Sequence, residues 1–318
     1  MGGPGPVTPV ERAVRAWLRR YDPGTRLVVA VSGGADSLAL AWSVHRCIGP
    51  RAVAVTIDHR LQPGSDRQAD RVVRHLRDLG LDHVESRTVE VGTAGGPEAA
   101  ARRARLGALR AVATDLGTDV PILLGHTMDD QAETVLLGLA RGSGPRSIAG
   151  MQQWRAPFGR PLLAVGRSDT EAACRAAGLE FWSDPQNVDA RFTRVRLRHE
   201  VLPLVDEVLG GGVVPALART ADLLREDVEY LDERARELLG RPGDRTAPDS
   251  IPLELLDEHP ALRRRMVRIW LQDNGIRELT ADHLHRLDAL RGSRPGAAVR
   301  LPGGVDVRVG DGRLHLER

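Results

Sequence analysis

The chain of 318 residues contains no lysine, so arginine supplies all 45 of the residues counted as Lys+Arg. A lysine Schiff base and a Walker A phosphate loop both depend on a lysine side chain, and the sequence therefore excludes both. There are two cysteines, Cys47 and Cys174, and they form no CxxC pair. Their isolation argues against an iron–sulfur cluster or a zinc ribbon.

Long apolar segments are also missing. No apolar run approaches the roughly 18 residues that a membrane span requires. Residues 1–9 are rich in glycine and proline and carry no apolar signal core. From these absences we expect a disordered tail over 1–9, no membrane partner and a cytoplasmic location.

Short apolar runs alternate with helical patterns through the first part of the chain, which predicts an α/β fold built on a parallel, doubly wound sheet. Ligands of such sheets bind beyond the carboxyl ends of the strands. Three polar segments follow predicted strands: Ser32–Ser37, Asp58-His59 and Gly125–Asp130. The predicted strands cover 26–31, 52–57, 83–91 and 121–125, and the predicted helices between and after them cover 38–47, 66–79, 97–116 and 129–139.

The pattern changes after about Pro203. Gly210-Gly-Gly212 predicts a hinge, and an amphipathic helix is expected over 213–239. Shorter helices and three short strands follow it. We therefore expect a catalytic domain over 10–209 and a second, α-rich domain over 213–318 that ends in a small β-meander.

The segment Ser32-Gly33-Gly34-Ala35-Asp36-Ser37 lies between a predicted buried strand and a helix. Its glycines let the backbone approach an anion, and the amides of the helix start, with the two serine hydroxyls, would donate to phosphate oxygens. Asp36 repels a bare phosphate but suits a Mg²⁺ ion between carboxylate and phosphates. An ordinary glycine turn with a Ser/Asp helix cap explains a lone SGG, whereas the complete pattern favours an ATP site.

A second cluster begins at Gly125-His126 and continues through Asp129-Asp130 to Glu133. On a helix, both aspartates share a face with Glu133, three or four residues later. The helix dipole also favours acids at a helix start, which is the ordinary explanation of such a cluster. The preceding strand, His126 and the return to the same sheet edge favour a second magnesium or substrate site.

These motifs together resemble the tRNA(Ile)-lysidine synthetase family, which belongs to the N-type ATP pyrophosphatases, also called the PP-loop superfamily. The resemblance covers about residues 25–205. Its motifs occur in family order: SGGxDS at 32–37, Asp58-His59-x-Leu61-x-Pro63, Glu98-x-x-Ala101-Arg102-x-x-Arg105, GHxxDDQxET at 125–134, RGSG at 141–144, Arg160-Pro161-Leu162-Leu163, Trp182-x-Asp184-Pro185-x-Asn187 and Phe192-x-Arg194-x-Arg196-x-Arg198-His199.

The resemblance implies an ATP-dependent ligation of free L-lysine to C2 of the wobble cytidine in CAU-anticodon tRNA(Ile). An adenylated cytidine would be the intermediate, AMP and pyrophosphate would be released, and Mg²⁺ would assist. The modified tRNA would read AUA instead of AUG. A homodimer is among the assemblies that the sequence leaves open.

The resemblance also implies residue roles. ATP would be bound by Ser32, Gly33, Gly34, Ala35, Asp36, Ser37, His59 and His126. Asp36 and Asp130 would hold Mg²⁺, and Arg105 and Arg194 would bind phosphate or transition-state charge. Asp130 or Glu133 would orient the lysine ammonium or accept its proton. The tRNA would be bound by Arg194, Arg196 and Arg198, a run whose ordinary explanation is a solvated or ion-paired strand face. The second domain, over 213–318, would also bind the tRNA.

Three other functions fit part of the sequence. A tRNA thiolase shares the ATP loop but normally needs cysteine pairs. An amidotransferase-type synthetase that makes GMP, NAD or asparagine would leave the basic run over 192–199 unused. A non-catalytic nucleotide-binding module would not need the second acidic cluster, and pyrophosphate release that depends on tRNA would exclude it.

Overall fold

The structure is a computed structural model that describes residues 7–60, 64–92, 96–142, 144–182, 189–240 and 249–318. Expectations for tail residues 1–6, for Leu61, Pro63, Ser143, Asp184, Pro185 and Asn187, and for the side chain of Glu98 lie outside the described residues. Backbone contacts divide the chain into two compact units. Unit 1 comprises Met1–Ala140 and Gly150–Ala221, and unit 2 comprises Arg141–Ala149 and Asp222–Arg318.

Helices and strands alternate through the first 140 residues. The helices are α1 (Pro9–Tyr21), α2 (Ala35–Ile48), α3 (Ser65–Asp78), α4 (Pro97–Leu116), α5 (Met128–Ala140), α6 (Pro145–Ile148), α7 (Arg167–Ala176), α8 (Thr193–Arg196), α9 (Leu202–Val208), α10 (Val213–Leu238), α11 (Pro260–Asp273) and α12 (Ala281–Asp288). The strands are β1 (Leu27–Ala30), β2 (Ala52–Asp58), β3 (His83–Thr88), β4 (Ile122–Leu123), β5 (Trp154–Arg155), β6 (Phe158–Gly159), β7 (Ser250–Pro252), β8 (Ala298–Arg300), β9 (Asp306–Gly310) and β10 (Arg313–Glu317).

Unit 1 is built on a sheet with the strand order β3-β2-β1-β4-β6-β5. All of its pairings are parallel except the one between β5 and β6. Successive residues of β1 point to opposite faces, so Leu27 and Val29 pack with α1, α2, α3 and α7, whereas Val28 packs with α4. Helices on both faces of a mainly parallel sheet confirm the predicted doubly wound α/β fold.

The chain reverses direction across the sheet between β1 and β4. From β1 the chain moves outward through β2 and β3, and then returns to place β4 on the other side of β1. Neighbouring strands whose connections run to opposite sides leave a crevice at their carboxyl ends. The loop Ser32–Gly34 follows β1 and the loop Gly125–Thr127 follows β4, so this crevice positions the candidate site.

The basic segment before α10 is helical, although a strand is one of the structures that its sequence allows. Residues 193–208 are helical, with a π-helical turn at Leu197–Val201, and do not form the ion-paired strand that was considered for this basic run. The arginines alternate with Thr193, Val195 and Leu197 in sequence, which imitates the two-residue period of a strand. Glycines 210–212 all have positive φ, and the hinge expected there stays a prediction.

Unit 2 packs helices against an antiparallel sheet with the order β7-β10-β9-β8. Trp270 and Leu271 of α11, Leu287 of α12, and Val307 and Leu314 of the sheet are fully enclosed in its core. Strands β8, β9 and β10 confirm the predicted meander, to which β7 adds a fourth strand. Within the described ranges, no single helix is long and apolar enough to cross a membrane, and only Thr193–Val208 with Val213–Leu238, bent by 94°, meets that test jointly.

Candidate active site

Serine hydroxyls close the loop between β1 and α2. Ser37 Oγ accepts a hydrogen bond from the Ser32 amide at 3.1 Å and donates to the Gly34 carbonyl at 2.9 Å. Gly33 has a φ of +87°, and a Cβ there would lie 2.7 Å from the Val72 side chain, so only glycine fits. Because α2 begins at Ala35, its first amides have no acceptor within the helix and are available to an anion.

The loop that follows β4 packs directly on the first turn of α2. A Cβ at Gly125 would lie 3.1 Å from the carbonyl carbon and oxygen of Asp36 and from the Cα of Ser37. Only a residue without a side chain allows this approach. The close packing of the two loops brings the phosphate loop next to the first turn of α5, which carries Asp129 and Asp130.

Three carboxylates and three arginines alternate along one line. Arg167 lies 3.3 Å from Asp36 and 3.5 Å from Asp130. Arg198 lies 3.4 Å from Asp130 and donates to Glu133 at 2.7 Å. Arg194 contacts the second oxygen of Glu133 at 3.4 Å. We call this line the charged row; in order, it contains Asp36, Arg167, Asp130, Arg198, Glu133 and Arg194.

The three carboxylates of the charged row differ in acidity. Burial raises the pKa of Asp36, and Arg167 and the Thr170 hydroxyl offset this only in part. Burial likewise raises the pKa of Glu133 despite the opposing effect of Arg198. Burial also opposes ionisation of Asp130, but the neighbouring His126, Arg167, the Thr127 amide and Arg198 together outweigh it and lower the pKa of this residue. Asp130 is therefore the most firmly ionised of the three.

A second group of basic side chains lies in unit 1, and we call it the basic patch: His59, Arg105, His126 and Arg160. In each residue one buried nitrogen has no hydrogen-bond partner among the described residues. Burial lowers the pKa of His126 to about 3, so its imidazole is neutral at physiological pH. Burial and the nearby Arg102 lower the pKa of Arg160 to about 10. The unpartnered guanidinium donors of Arg105 and Arg160 indicate a site for an anion.

The remaining candidate residues have other contacts. Arg196 lies outside the charged row and pairs with Glu200 at 2.9 Å on the surface. Asp129 accepts a hydrogen bond from the Arg167 amide at 2.8 Å, so it caps α7. In the part of the chain that the structure describes, no three His, Cys, Asp or Glu side chains converge in a way that could hold a metal ion.

Sequence reasoning missed Arg167 and Thr170, although both contact Asp36. Arg167 is the first residue of α7, where the helix dipole disfavours a cation. A cation at that end of a helix needs compensation by carboxylates, and Asp36 and Asp130 provide it. This conflict with the dipole is the signal in the sequence that could have identified Arg167.

Comparison with known proteins identifies the family. The sequence matches the PP-loop domain over residues 7–205 and the TilS substrate binding domain over residues 253–315. It is 52% identical to a tRNA(Ile)-lysidine synthase of Rhodococcus erythropolis over 291 residues, which cover 90% of this chain and 87% of that protein. The chain belongs to the tRNA(Ile)-lysidine synthase family.

Another member of the family, from Thermobifida fusca, is 48% identical over 98% of both chains. Among solved structures, the U34-tRNA thiolase NcsA from Methanococcus maripaludis, determined with its 4Fe-4S cluster, superposes with a TM-score of 0.56. It covers 68% of this chain and 78% of its own length at 18% identity, which supports the shared fold alone. Membership confirms the resemblance in the sequence, and the PP-loop domain confirms ATP as a substrate.

Proposed function

We propose that this chain ligates free L-lysine to C2 of the wobble cytidine in CAU-anticodon tRNA(Ile), while ATP is converted to AMP and pyrophosphate. The charged row carries this proposal, because it lies beside the phosphate loop in a chain of the lysidine synthase family. A reaction that joins a cationic amino acid to a nucleotide needs both signs of charge in one site. The product tRNA reads AUA instead of AUG.

In the first step, O2 of the cytidine attacks the α-phosphate of ATP and pyrophosphate leaves. Without this adenylation O2 is a poor leaving group. The phosphate loop from Ser32 to Ser37 receives the pyrophosphate through amides and hydroxyls. Arg105, His59 and His126 lie near the nucleotide, where their unpartnered nitrogens meet phosphate or ribose oxygens.

In the second step, the lysine amine attacks C2, the C2–O2 bond breaks so that AMP leaves with O2, and Asp130 accepts the proton that the amine gives up. Asp130 binds the ammonium of the incoming lysine, because it remains ionised and part of its side chain is exposed. Glu133 is completely enclosed, and it holds Arg194 and Arg198 in place. We therefore assign Glu133 a positioning role in place of the direct catalytic role expected from the sequence. Arg194, the more exposed of the two arginines, stabilises phosphate charge.

Asp36 and Asp130 are the residues that would hold Mg²⁺. Two carboxylates without a third protein ligand suit this ion, which retains several waters and binds substrate phosphates. The ion supplies positive charge that stabilises the leaving pyrophosphate. Arg167 meets both carboxylates and balances part of their charge. An Asp36→Asn variant that keeps nearly full tRNA-dependent ATP–pyrophosphate exchange would refute this metal role.

The tRNA meets the site through its anticodon loop, whose bases are already splayed and accessible. Arg194, Arg196 and Arg198 are the expected RNA contacts of unit 1; Arg196 is the most exposed of the three. We include a cytoplasmic location in the proposal.

Incorporation of radiolabelled lysine into purified CAU-anticodon tRNA(Ile), with ATP and Mg²⁺, tests the proposed function. The control is tRNA(Met), which carries the same anticodon. Label on tRNA(Ile) alone is the expected result. If ATP–pyrophosphate exchange occurs without any label, lysine is the wrong substrate. Equal labelling of both tRNAs contradicts the proposed specificity.

A further inference from the structure

Unit 2 contains a cavity of about 450 Å³ that is strongly basic. Arg146 of the segment Arg141–Ala149 and three arginines of α11, Arg264, Arg265 and Arg268, line it. His259 and His285 add two imidazoles to its wall. None of the described residues that line this cavity is acidic. The cavity is distinct from the charged row and the basic patch, whose residues all belong to unit 1.

The carboxylates near the cavity do not balance its arginines. Asp232 accepts both of its hydrogen bonds from Arg146, at 2.5 and 2.6 Å, and lies 3.2 Å from Arg265. Arg268 makes no hydrogen bond or ion pair with any described residue. Burial, together with Arg146 and Arg265, lowers its pKa, and the nearby Asp232 offsets this only in part. Asp232 is thus the one described carboxylate close to these three arginines, and the excess positive charge is partly buried.

The fourth arginine is held by a different acid. Arg264 lies 2.7 Å from Asp288, which also pairs with Arg263 at 2.9 Å. Around residues 263–268 of α11, five arginines are therefore balanced by only two carboxylates, Asp232 and Asp288, among the described residues. Mutual repulsion of guanidinium groups costs free energy unless an anion joins them. Such an arrangement is typical of a binding site, because folding alone gains nothing from the excess charge.

Two glycines also line the cavity. Gly142 and Gly144 have φ values of +60° and +79°, and a Cβ at either would meet no atom within 4 Å. The peptide groups of these two glycines carry no side chain that would keep a ligand away.

We propose that this cavity binds a backbone phosphate of the substrate tRNA, with Arg268 as its main ligand and Arg146, Arg264 and Arg265 around it. Guanidinium groups match phosphate geometry with paired donors, and a phosphate would balance the surplus charge. The α11 arginines belong to the segment that matches the TilS substrate binding domain, whereas Arg146 belongs to the PP-loop segment. Parts of both matched segments thus build one cavity. The assignment of this phosphate to tRNA rests on the proposed function.

Arg268→Gln tests the proposal through binding alone. The dissociation constant for tRNA(Ile) should rise about tenfold, as expected for loss of one charge-assisted contact. The slope of log affinity against log salt concentration, measured between about 50 and 200 mM, should fall by about 0.7–0.9 because one phosphate contact is lost. The matched control is Arg308→Gln, which removes the same charge from an exposed pair with Glu317 outside the cavity. It should leave the slope unchanged.

Equal effects of Arg268→Gln and Arg308→Gln would overturn the proposal. Titration with ATP and with inorganic phosphate, in the absence of RNA, separates the two sources of phosphate. Loss of either affinity in Arg268→Gln, with tRNA affinity unchanged, assigns the cavity to a free phosphate and contradicts the RNA contact. Arg268→Lys provides a variant that keeps the charge, and it should retain the wild-type salt slope while binding more weakly.

RNA affinity and its salt dependence test the cavity, whereas lysine incorporation tests the proposed function, so the two can fail separately. If the wild-type chain binds tRNA(Ile) but incorporates no lysine, the ligation reaction is wrong. The cavity is then still supported if Arg268→Gln weakens RNA binding and lowers the salt slope. If lysine is incorporated normally by a variant whose RNA affinity and slope are unchanged, the cavity is refuted and the ligation stands.

Discussion

Removal of Arg198 should destabilise unit 1 because it leaves a carboxylate enclosed without its closest partner. Glu133 has no exposed surface, and its shortest contact is the 2.7 Å hydrogen bond from Arg198 Nε. Removal of one partner from a buried ion pair typically costs about 3–5 kcal/mol. Arg194 remains 3.4 Å away as a second, weaker partner, so we expect Arg198→Met to lower the free energy of unfolding by about 2–4 kcal/mol.

Urea unfolding followed by tryptophan fluorescence measures this loss. Four of the five tryptophans, Trp17, Trp42, Trp154 and Trp182, belong to unit 1, so the signal reports mainly on that unit. Arg196→Met is the matched control, since Arg196 lies two residues away and its ion pair among the described residues is with the exposed Glu200. The control should show no measurable loss. Equal stability of the two variants would refute the buried pairing of Glu133.

The loss of unfolding free energy in Arg198→Met should also depend on pH. Burial raises the pKa of Glu133 in the folded chain, and Arg198 lowers it again in part. Without Arg198 the folded-state pKa of Glu133 rises further. At pH values between the pKa of the unfolded chain and that of the folded chain, Glu133 is protonated in the folded chain and ionised in the unfolded chain. Stability then falls as pH rises through this window. The cost of Arg198→Met should therefore be larger at pH 7.5 than at pH 5, and the opposite trend would contradict this explanation.

Three further predictions concern the crevice. Gly125→Ala should raise KM for ATP on the order of tenfold, because its Cβ would press on the backbone of Asp36 and Ser37; an unchanged KM in steady-state kinetics argues against this close packing. Arg167→Gln should lower kcat about 100-fold without weakening tRNA binding, and wild-type turnover would exclude Arg167 from the site. His126→Asn should leave the shape of the pH–rate profile unchanged between about pH 6 and 8, since the pKa of His126 is about 3; loss of an inflection in this range would show that His126 titrates there.

The sequence identified the crevice because its signals are local. The continuous apolar runs of β1 and β2 and the Ala- and Arg-rich sequence of the 20-residue helix α4 can be recognised from the sequence, and the loops after β1 and β4 stand out as polar segments that follow strands. Strands β5 and β6 have two residues each, too few for any period to be visible. These strands were therefore missed.

The pairing within the charged row could not be read from the sequence. Arg198 follows Glu133 by 65 residues, and Arg167 follows Asp36 by 131, so only tertiary packing brings the partners together. The basic run was accordingly interpreted as an RNA-binding or solvated face, whereas Arg194 and Arg198 turn inward to Glu133. The place of Arg141–Ala149 in unit 2 is likewise hidden, because nothing in that segment alone specifies what it packs against.

The balance of charge in the row explains how one crevice can serve two substrates of opposite charge. Three carboxylates and three arginines neutralise one another, so neither sign is left uncompensated in the absence of substrate. In the proposed reaction, ATP competes for the arginines, and an arginine that turns from Asp130 to a phosphate leaves that carboxylate available to the lysine ammonium. The row therefore favours joint binding of the nucleotide and the amino acid over binding of either alone, since a single substrate would leave half of the row unpaired.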